Sequence, residues 1–381
     1  MKKNLFFLFI LFFLLPINNA NGEELNKHSR VSLRILETTD IHSHILDYDY
    51  EKNKRTIEFG LNRTVSLIQQ AKKDQDNTLL FDVGDVIKGN ALADYVASSN
   101  VLYYSDIHPA YKSMNLLKYD AATVGNHEFN YGLDFLLKSI QGADFPFVNA
   151  NIYVDDQNDY EQDDIHFFSP YIILNKEVTT IDGKKKMLKV GVLGLITPIT
   201  AEWDKEHLAN KVKIKNMQET AKEVVPKMKE DGADIIIALV HAGLHTDNDL
   251  KDKKGNNVKD VSKVAGIDVI LYGHSHSLFP KKGEKSTSQV QHHSGKINGK
   301  PAVQAGYWGN HLGIIDLTLE QKGGNWTLID SKSLAKPIIR IIKGKKVPIV
   351  SPYQPIEYMM RQYHQDTIDF TEKNKKQKEH R

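Results

Sequence analysis

Histidine, aspartate and asparagine gather at five places in this 381-residue chain, each just after a short aliphatic run. The places are Asp40-Ile41-His42, Asp82-Val83-Gly84-Asp85, Gly125-Asn126-His127-Glu128, His241 and Gly273-His274-Ser275-His276. In extended backbone, residues i and i+2 point the same way, so Asp40 with His42, and His274 with His276, can each present two donors to one ion. Asp85 can bridge two cations through its two oxygens, and Gly84 permits the tight turn that would lift it into a site. Asp82 reads as a turn former. Asn126 offers a neutral amide oxygen, and His127 a group able to carry a proton. Singly, Asp-x-His is commonplace, and a lone histidine such as His241 can simply end a strand. Jointly, Asp40, His42, Asp85, Asn126, His241, His274 and His276 form a nitrogen and oxygen donor set of the number and kind that holds two adjacent divalent metal ions.

The chain has no cysteine, which excludes a Cys-ligated zinc site, a disulfide framework and a lipid-modified N-terminal cysteine. Its formal net charge is +2, and residues 1–20 carry two lysines and no acids, so the remainder comes to 2 − 2 = 0. A broad cationic surface, and with it a nucleic-acid polymer as partner, is not expected. Two divalent ions against two ligand carboxylates and a bridging hydroxide would leave about +1 locally, enough to draw a small anion to a neutral protein.

The elements that must position these residues alternate along the chain. Strands are expected at Leu33–Glu37, Thr78–Val83, Ala121–Val124, Phe145–Asn149, Leu188–Ile196, Ile235–Val240, Val269–Leu271, Ala302–Ala305 and Leu312–Leu319. Leu61, Val65 and Ile68 share a helical face, as do Leu133, Leu136, Leu137 and Ile140, so the fold class is α/β. Thr179–Lys186 reads as a hairpin around Asp182-Gly183, and Lys281–Lys300 as a basic loop. Gly344, Pro348, Pro352 and Pro355 mark a boundary before a last polar helix, Ile356–Phe370, and the basic stretch 372–381 reads as a disordered tail. At the other end, Lys2-Lys3, the apolar run Leu5–Ile17 and the small and polar residues after it form a signal peptide over 1–20. The run is shorter than the roughly 20 residues that span a bilayer, so an exported chain without a retained membrane span is expected: periplasmic, cell-surface or extracellular. His292-His293 is expected to be exposed, His44 and His245 to line the site, and Trp308 to sit in the core.

Taken in order, the five clusters resemble those of the calcineurin-like metallophosphoesterases of the 5′-nucleotidase type, over about Leu33 to Asp316. Within that family the stretches Leu36–Ser43, Gly125–Asp134, Phe147–Asn151 and Trp308–Gly313 are most similar to 2′,3′-cyclic-nucleotide 2′-phosphodiesterase/3′-nucleotidases. The resemblance implies a four-layer α/β/β/α sandwich over 30–345 and a linker helix over 352–371, with the family's C-terminal nucleotide-binding domain absent or supplied by a separate chain. It implies one ion on Asp40, His42, Asp85 and His276 and a second on Asp85, Asn126, His241 and His274, the metals being Mn, Zn, Fe, Co or Mg. His127 would be catalytic in a two-metal hydroxide mechanism on small nucleotide or phosphate-ester substrates. Where the 5′-nucleotidase branch has an aspartate paired with the catalytic histidine, this chain has Asn130, and His276 stands where that branch commonly has glutamine. An amide cannot stabilise an imidazolium as a carboxylate does, so Asp134 is the expected partner of His127. Without the second domain, base discrimination is expected to be poor. A 5′-nucleotidase or nucleotide-sugar hydrolase on the same scaffold, and a truncated metal-binding remnant, are the alternatives.

Overall fold

Alternating apolar residues on extended segments force two sheets face to face. In the computed structural model, which describes residues 29–99, 101–105, 107–158, 160–244 and 255–379, ten strands carry the architecture. They are β1 (Ser29–Thr38), β2 (Thr78–Asp82), β3 (Ala121–Ala122), β4 (Tyr171–Thr179), β5 (Lys185–Ile196), β6 (Ile235–His241), β7 (Val269–Tyr272), β8 (Lys300–Ala305), β9 (His311–Lys322) and β10 (Asn325–Pro337). One sheet has the order β10-β9-β1-β2-β3, with β1, β2 and β3 parallel. The other contains β8-β7-β6-β5-β4, of which β8, β7, β6 and β5 are parallel.

Three apolar layers separate these elements. Val31, Leu33, Ile35, Leu79 and Phe81 from the first sheet meet Val190, Val192, Ile237, Leu239 and Leu271 from the second in an apolar inter-sheet core. The outer face of the first sheet buries helices such as α1 (Leu61–Asp74), and that of the second buries α2 (Met217–Glu230). The result is the expected α/β/β/α sandwich. Parallel strands buried on both faces need crossover connections, and their C-terminal ends therefore share one edge. The segments after β1, β2, β3, β6 and β7 carry the clustered polar residues.

Several expected elements differ. The strand expected at 121–124 is two residues long because the chain turns at Gly125 into a 3₁₀ helix, Asn126–Phe129. Residues 145–149 form only the isolated bridges Ala122↔Phe147 and Val148↔Ser169. The basic loop holds two short strands, Val290–Gln291 and Lys296–Ile297, that extend the edge beside β8. Near the expected boundary, Ile339–Ile342 pairs with Lys345–Pro348 through a turn at Lys343-Gly344, both at positive φ. Helices Gln354–Met359 and Arg361–Glu379 follow, so the stretch expected to be a disordered tail is helical as far as Glu379. Its Lys, Gln and Glu residues are good helix formers. Ile356, Met360 and Thr367 are fully buried, and Tyr95 Oη donates to Asp366 at 3.1 Å, so these helices pack against the sandwich rather than standing apart. The signal peptide expected at 1–20, and His245, lie outside the described residues. Among the described residues no helix is long and apolar enough to cross a membrane.

Candidate metal centre

The seven side chains singled out as ligands meet at the C-terminal edge of the two sheets, but not by the geometry that strand alternation suggests. Asp40, His42, Asp85, His274 and His276 have φ of 51°, 49°, 61°, 76° and 53°. Each pair converges because its backbone leaves the strand through left-handed turns. Left-handed backbone costs a non-glycine residue roughly 1 kcal/mol or more, and such cost is concentrated at functional sites. Close approach is also built in: a Cβ on Gly125 would lie 2.3 Å from Asp85 Oδ1 and 2.6 Å from His241 Cε1, and one on Gly84 would lie 2.2 Å from the Gly125 nitrogen.

Three overlapping donor groups result: Asp40, His42 and His276; His42, Asp85 and His127; Asp85, His241 and His274. His42 Nε2 faces His276 Nε2 at 2.9 Å, and His276 Nε2 is 3.4 Å from Asp40 Oδ1. Asp85 Oδ2 stands between the halves, 3.8 Å from His42 Nε2 and 3.1 Å from His241 Nε2. Asn126 Oδ1 lies 2.9 Å from His274 Nδ1. Two backbone carbonyls set the imidazole tautomers. His42 Nδ1 donates to Lys88 O at 2.7 Å and His241 Nδ1 to Val83 O at 2.6 Å, which leaves each Nε2 lone pair facing inward. His241 Nε2 is buried without an aligned hydrogen bond, although Asp85 is near. Convergent lone pairs and a buried nitrogen with no aligned partner fit divalent cations.

Burial and charge oppose one another here. Burial alone would raise Asp85, but His241 and His42 outweigh it and hold its carboxyl well below the usual carboxylate range. His241 is penalised by burial, yet Asp85 and then Asp40 raise it above the ordinary imidazole range. His42, with burial dominant, is lowered. Glu128 is pushed up to about 7 by burial and then by Asp85. Its carboxyl accepts from the backbone N–H groups of Asp85 at 2.7 Å and Gly125 at 2.6 Å, tying the β2 and β3 loops together. Asp82 is more than a turn former: it is fully buried, accepts from Gly84 N and Thr38 Oγ1, and burial pushes it up to about 8.

His127 packs edge-on to His42, with ring centroids 5.0 Å apart. Its expected partner, Asp134, is exposed in the first turn of the helix Leu133–Ile140. His127 Nδ1 instead donates to Asn130 Oδ1 at 2.6 Å, and Asn130 Nδ2 donates to Asp204 Oδ1 at 2.7 Å. Asp204 was not among the residues the sequence singled out. It follows the end of β5, a strand whose C-terminal edge faces the same way as the others, and that position is the signal that points to it. Next to it, Trp203 stacks on His274 with centroids 5.5 Å apart, and on the other side Tyr307 stacks on His276 at 4.9 Å. Trp308 is half-buried rather than core, stacked on His44 at 4.2 Å, and His44 is buried, with burial and then His42 pushing it down to about 3. His293 is exposed as expected, whereas His292 is half-buried against Phe279.

A two-sheet sandwich with histidines and carboxylates converging at the C-terminal strand edge defines a metallophosphoesterase. The family model described as calcineurin-like phosphoesterase matches residues 33–278, and this chain belongs to that family, whose members use divalent metals. It is 42% identical over 340 residues to a 2′,3′-cyclic-nucleotide 2′-phosphodiesterase/3′-nucleotidase of Yersinia enterocolitica, covering 89% of this chain and 51% of that protein. It is 39% identical over 368 residues to the trifunctional nucleotide phosphoesterase protein YfkN of Bacillus subtilis, covering 96% of this chain and 24% of that one. The chain thus spans about half of the first of these curated relatives and about a quarter of the second. The crystal structure of the calcineurin-like phosphoesterase YfkN from Bacillus subtilis superposes with a TM-score of 0.80 at 40% identity, covering 90% of this chain and 99% of that one. A putative 5′-nucleotidase from Staphylococcus aureus, at 20% identity and TM-score 0.61 over 88% of this chain and 58% of that one, shares the fold.

Proposed function

We propose that this chain is an exported hydrolase that opens 2′,3′-cyclic nucleotides to 3′-nucleotides and cleaves 3′-nucleotides to nucleoside and phosphate. Asp40, His42, Asp85 and His276 would hold one divalent ion, and Asp85, Asn126, His241 and His274 the other. The catalytic domain would be 30–345 and the linker helix 352–371. The observation that carries the reading is the overlap of three donor groups at His42 and Asp85. The names of the relatives supply the substrate class, and the signal-like residues 1–20 support export.

When bound, the ions supply activation of water at neutral pH and neutralise phosphate charge. The chain supplies the proton. As the water oxygen bonds to phosphorus, the bond from phosphorus to the ribose oxygen breaks and that oxygen takes a proton from His127 Nε2. The proton released by the water restores the ring, so one water is consumed per ester cleaved. Proton donation of this kind contributes roughly 10²–10⁴-fold.

The test is a product time course with the purified chain, stripped of metal, reloaded with Mn²⁺ and given 2′,3′-cyclic AMP. Appearance of 3′-AMP and then adenosine supports the reading. Faster turnover of 5′-AMP than of 3′-AMP would overturn it in favour of a 5′-nucleotidase. N-terminal sequencing of the protein recovered outside the cytoplasm tests export, and an uncleaved cytoplasmic product would refute that part.

A further inference from the structure

We propose that Asp204 is the carboxylate that sets the working orientation of His127, acting through the side-chain amide of Asn130. This rests on the proton-donating role proposed above for His127. An ionised carboxylate only accepts hydrogen bonds, so the Asn130 NH₂ group must face Asp204 and the Asn130 carbonyl must face His127. That carbonyl in turn accepts only from an N–H, which keeps a proton on His127 Nδ1 throughout and makes Nε2 the nitrogen that gives up and regains the proton of the reaction. Without Asp204 the amide is free to turn over. Its NH₂ would then meet Nδ1, which could not keep its own proton while Nε2 carries one, so the proton-donating form of the ring would be lost.

The surroundings of Asp204 suit this role. The residue is 6% exposed, and its second oxygen, Oδ2, is buried with no hydrogen-bond partner among the described residues. A buried carboxylate oxygen left unpaired is costly unless the field of the charge is used. The ring it faces through the amide is that of His127. The short helix Thr200–Trp203 sets the geometry: its last residue, Trp203, stacks on His274, and the next residue is Asp204, so a single turn registers the relay against the ligand cluster. Asp134, the alternative carboxylate, is exposed and has no such path. Asp204 is thus a positioning residue. The amide transmits a carboxylate to the ring from a distance at which the two do not touch.

The experiment compares two esters with the metal-loaded full chain: 3′-AMP, whose ribose oxygen must be protonated to leave, and p-nitrophenyl phosphate, whose phenolate departs without a proton. In Asp204→Asn, kcat on 3′-AMP should fall roughly tenfold to a hundredfold with KM within about threefold, while turnover of p-nitrophenyl phosphate falls less than about threefold. Metal content should be unchanged. The double variant Asn130→Asp/Asp204→Asn moves the carboxylate onto Nδ1 directly and should recover kcat on 3′-AMP to within about threefold. Equal losses on both esters in Asp204→Asn, or no recovery in the double variant, would overturn the relay and leave Asp204 as a packing residue. His127→Ala separates this from the reading beneath it. If that variant loses both esters equally, the proton role of His127 falls and the relay with it. If it loses only 3′-AMP while Asp204→Asn loses neither, the relay alone falls.

Discussion

His108 and His241 are both fully buried, and neither Nε2 makes an aligned hydrogen bond among the described residues. Yet they end on opposite sides of neutrality. His108 caps the helix Pro109–Asn115 through its Nδ1, faces no charge among the described residues, and burial alone pushes it down to about 3. His241 meets the same penalty, but Asp85 and Asp40 reverse it. Desolvation of an imidazole is therefore not informative about function by itself. What separates the packed His108 from His241 in the donor cluster is the carboxylate aimed at the latter and the carbonyl holding its other nitrogen.

The largest effect should come from removing that carboxylate. Asp85→Asn should lower turnover of 3′-AMP by about three orders of magnitude or more, close to 4 kcal/mol of transition-state stabilisation. NMR titration of the metal-free variant should find the His241 pKa lowered from its wild-type value. An unchanged value would break the comparison. Cutting the same strand two residues earlier sharpens it. Leu239 is fully buried in the inter-sheet core, so Leu239→Ala should cost roughly 2–5 kcal/mol in denaturant unfolding while kcat per folded molecule holds. A proportional loss of kcat would mean that core and edge are not separable.

Metal is the next lever. Mn²⁺ at a hundred times its Kd should stabilise the fold by about 2.7 kcal/mol over the stripped protein, read as a shift in the unfolding midpoint. Asp85→Asn should remove most of that shift. An effect of similar size, on pH dependence alone, concerns His108. Its folded pKa, about 3, lies below the unfolded value near 6.5, so its contribution is present above pH 6.5 and is lost as pH falls toward 3. Between pH 7 and about 4.5 this is roughly 2–3 kcal/mol. His108→Asn keeps a cap acceptor and should flatten the pH dependence of stability by that amount. If the slope is the same in both proteins, the site rather than His108 governs it.

The sequence made the clustering of these donors legible because Asn126-His127 and Gly273-His274-Ser275-His276 have no packing explanation at the ends of aliphatic strands. It made the sandwich legible because buried parallel strands read as continuous Val, Ile and Leu, as in Ile235–Val240. It did not reveal that Asp40 and His42 converge through left-handed turns, since a two-residue spacing is the same in either backbone. Nor did it reveal Asp204, whose tie to His127 spans 74 positions between Asn130 and Asp204 and exists only once β3 and β5 bring their ends to one edge. The β10 strand, with only weak alternation in Asn325–Pro337, was invisible until β9 paired with it. The helix through Glu379 was obscured because its composition suits a solvated tail as well as a solvated helix.

The left-handed residues of the metal edge also make the site readable without measuring turnover. Suppose every position is varied and cells are sorted only by how much folded protein they hold. Glycine should then be enriched at His42 and His276, where it relieves backbone cost, and β-branched residues depleted. A selection for growth on a nucleotide as the phosphate source should discard those same glycines. Where abundance and fitness pull in opposite directions, the two maps together would trace the metal edge through the chain.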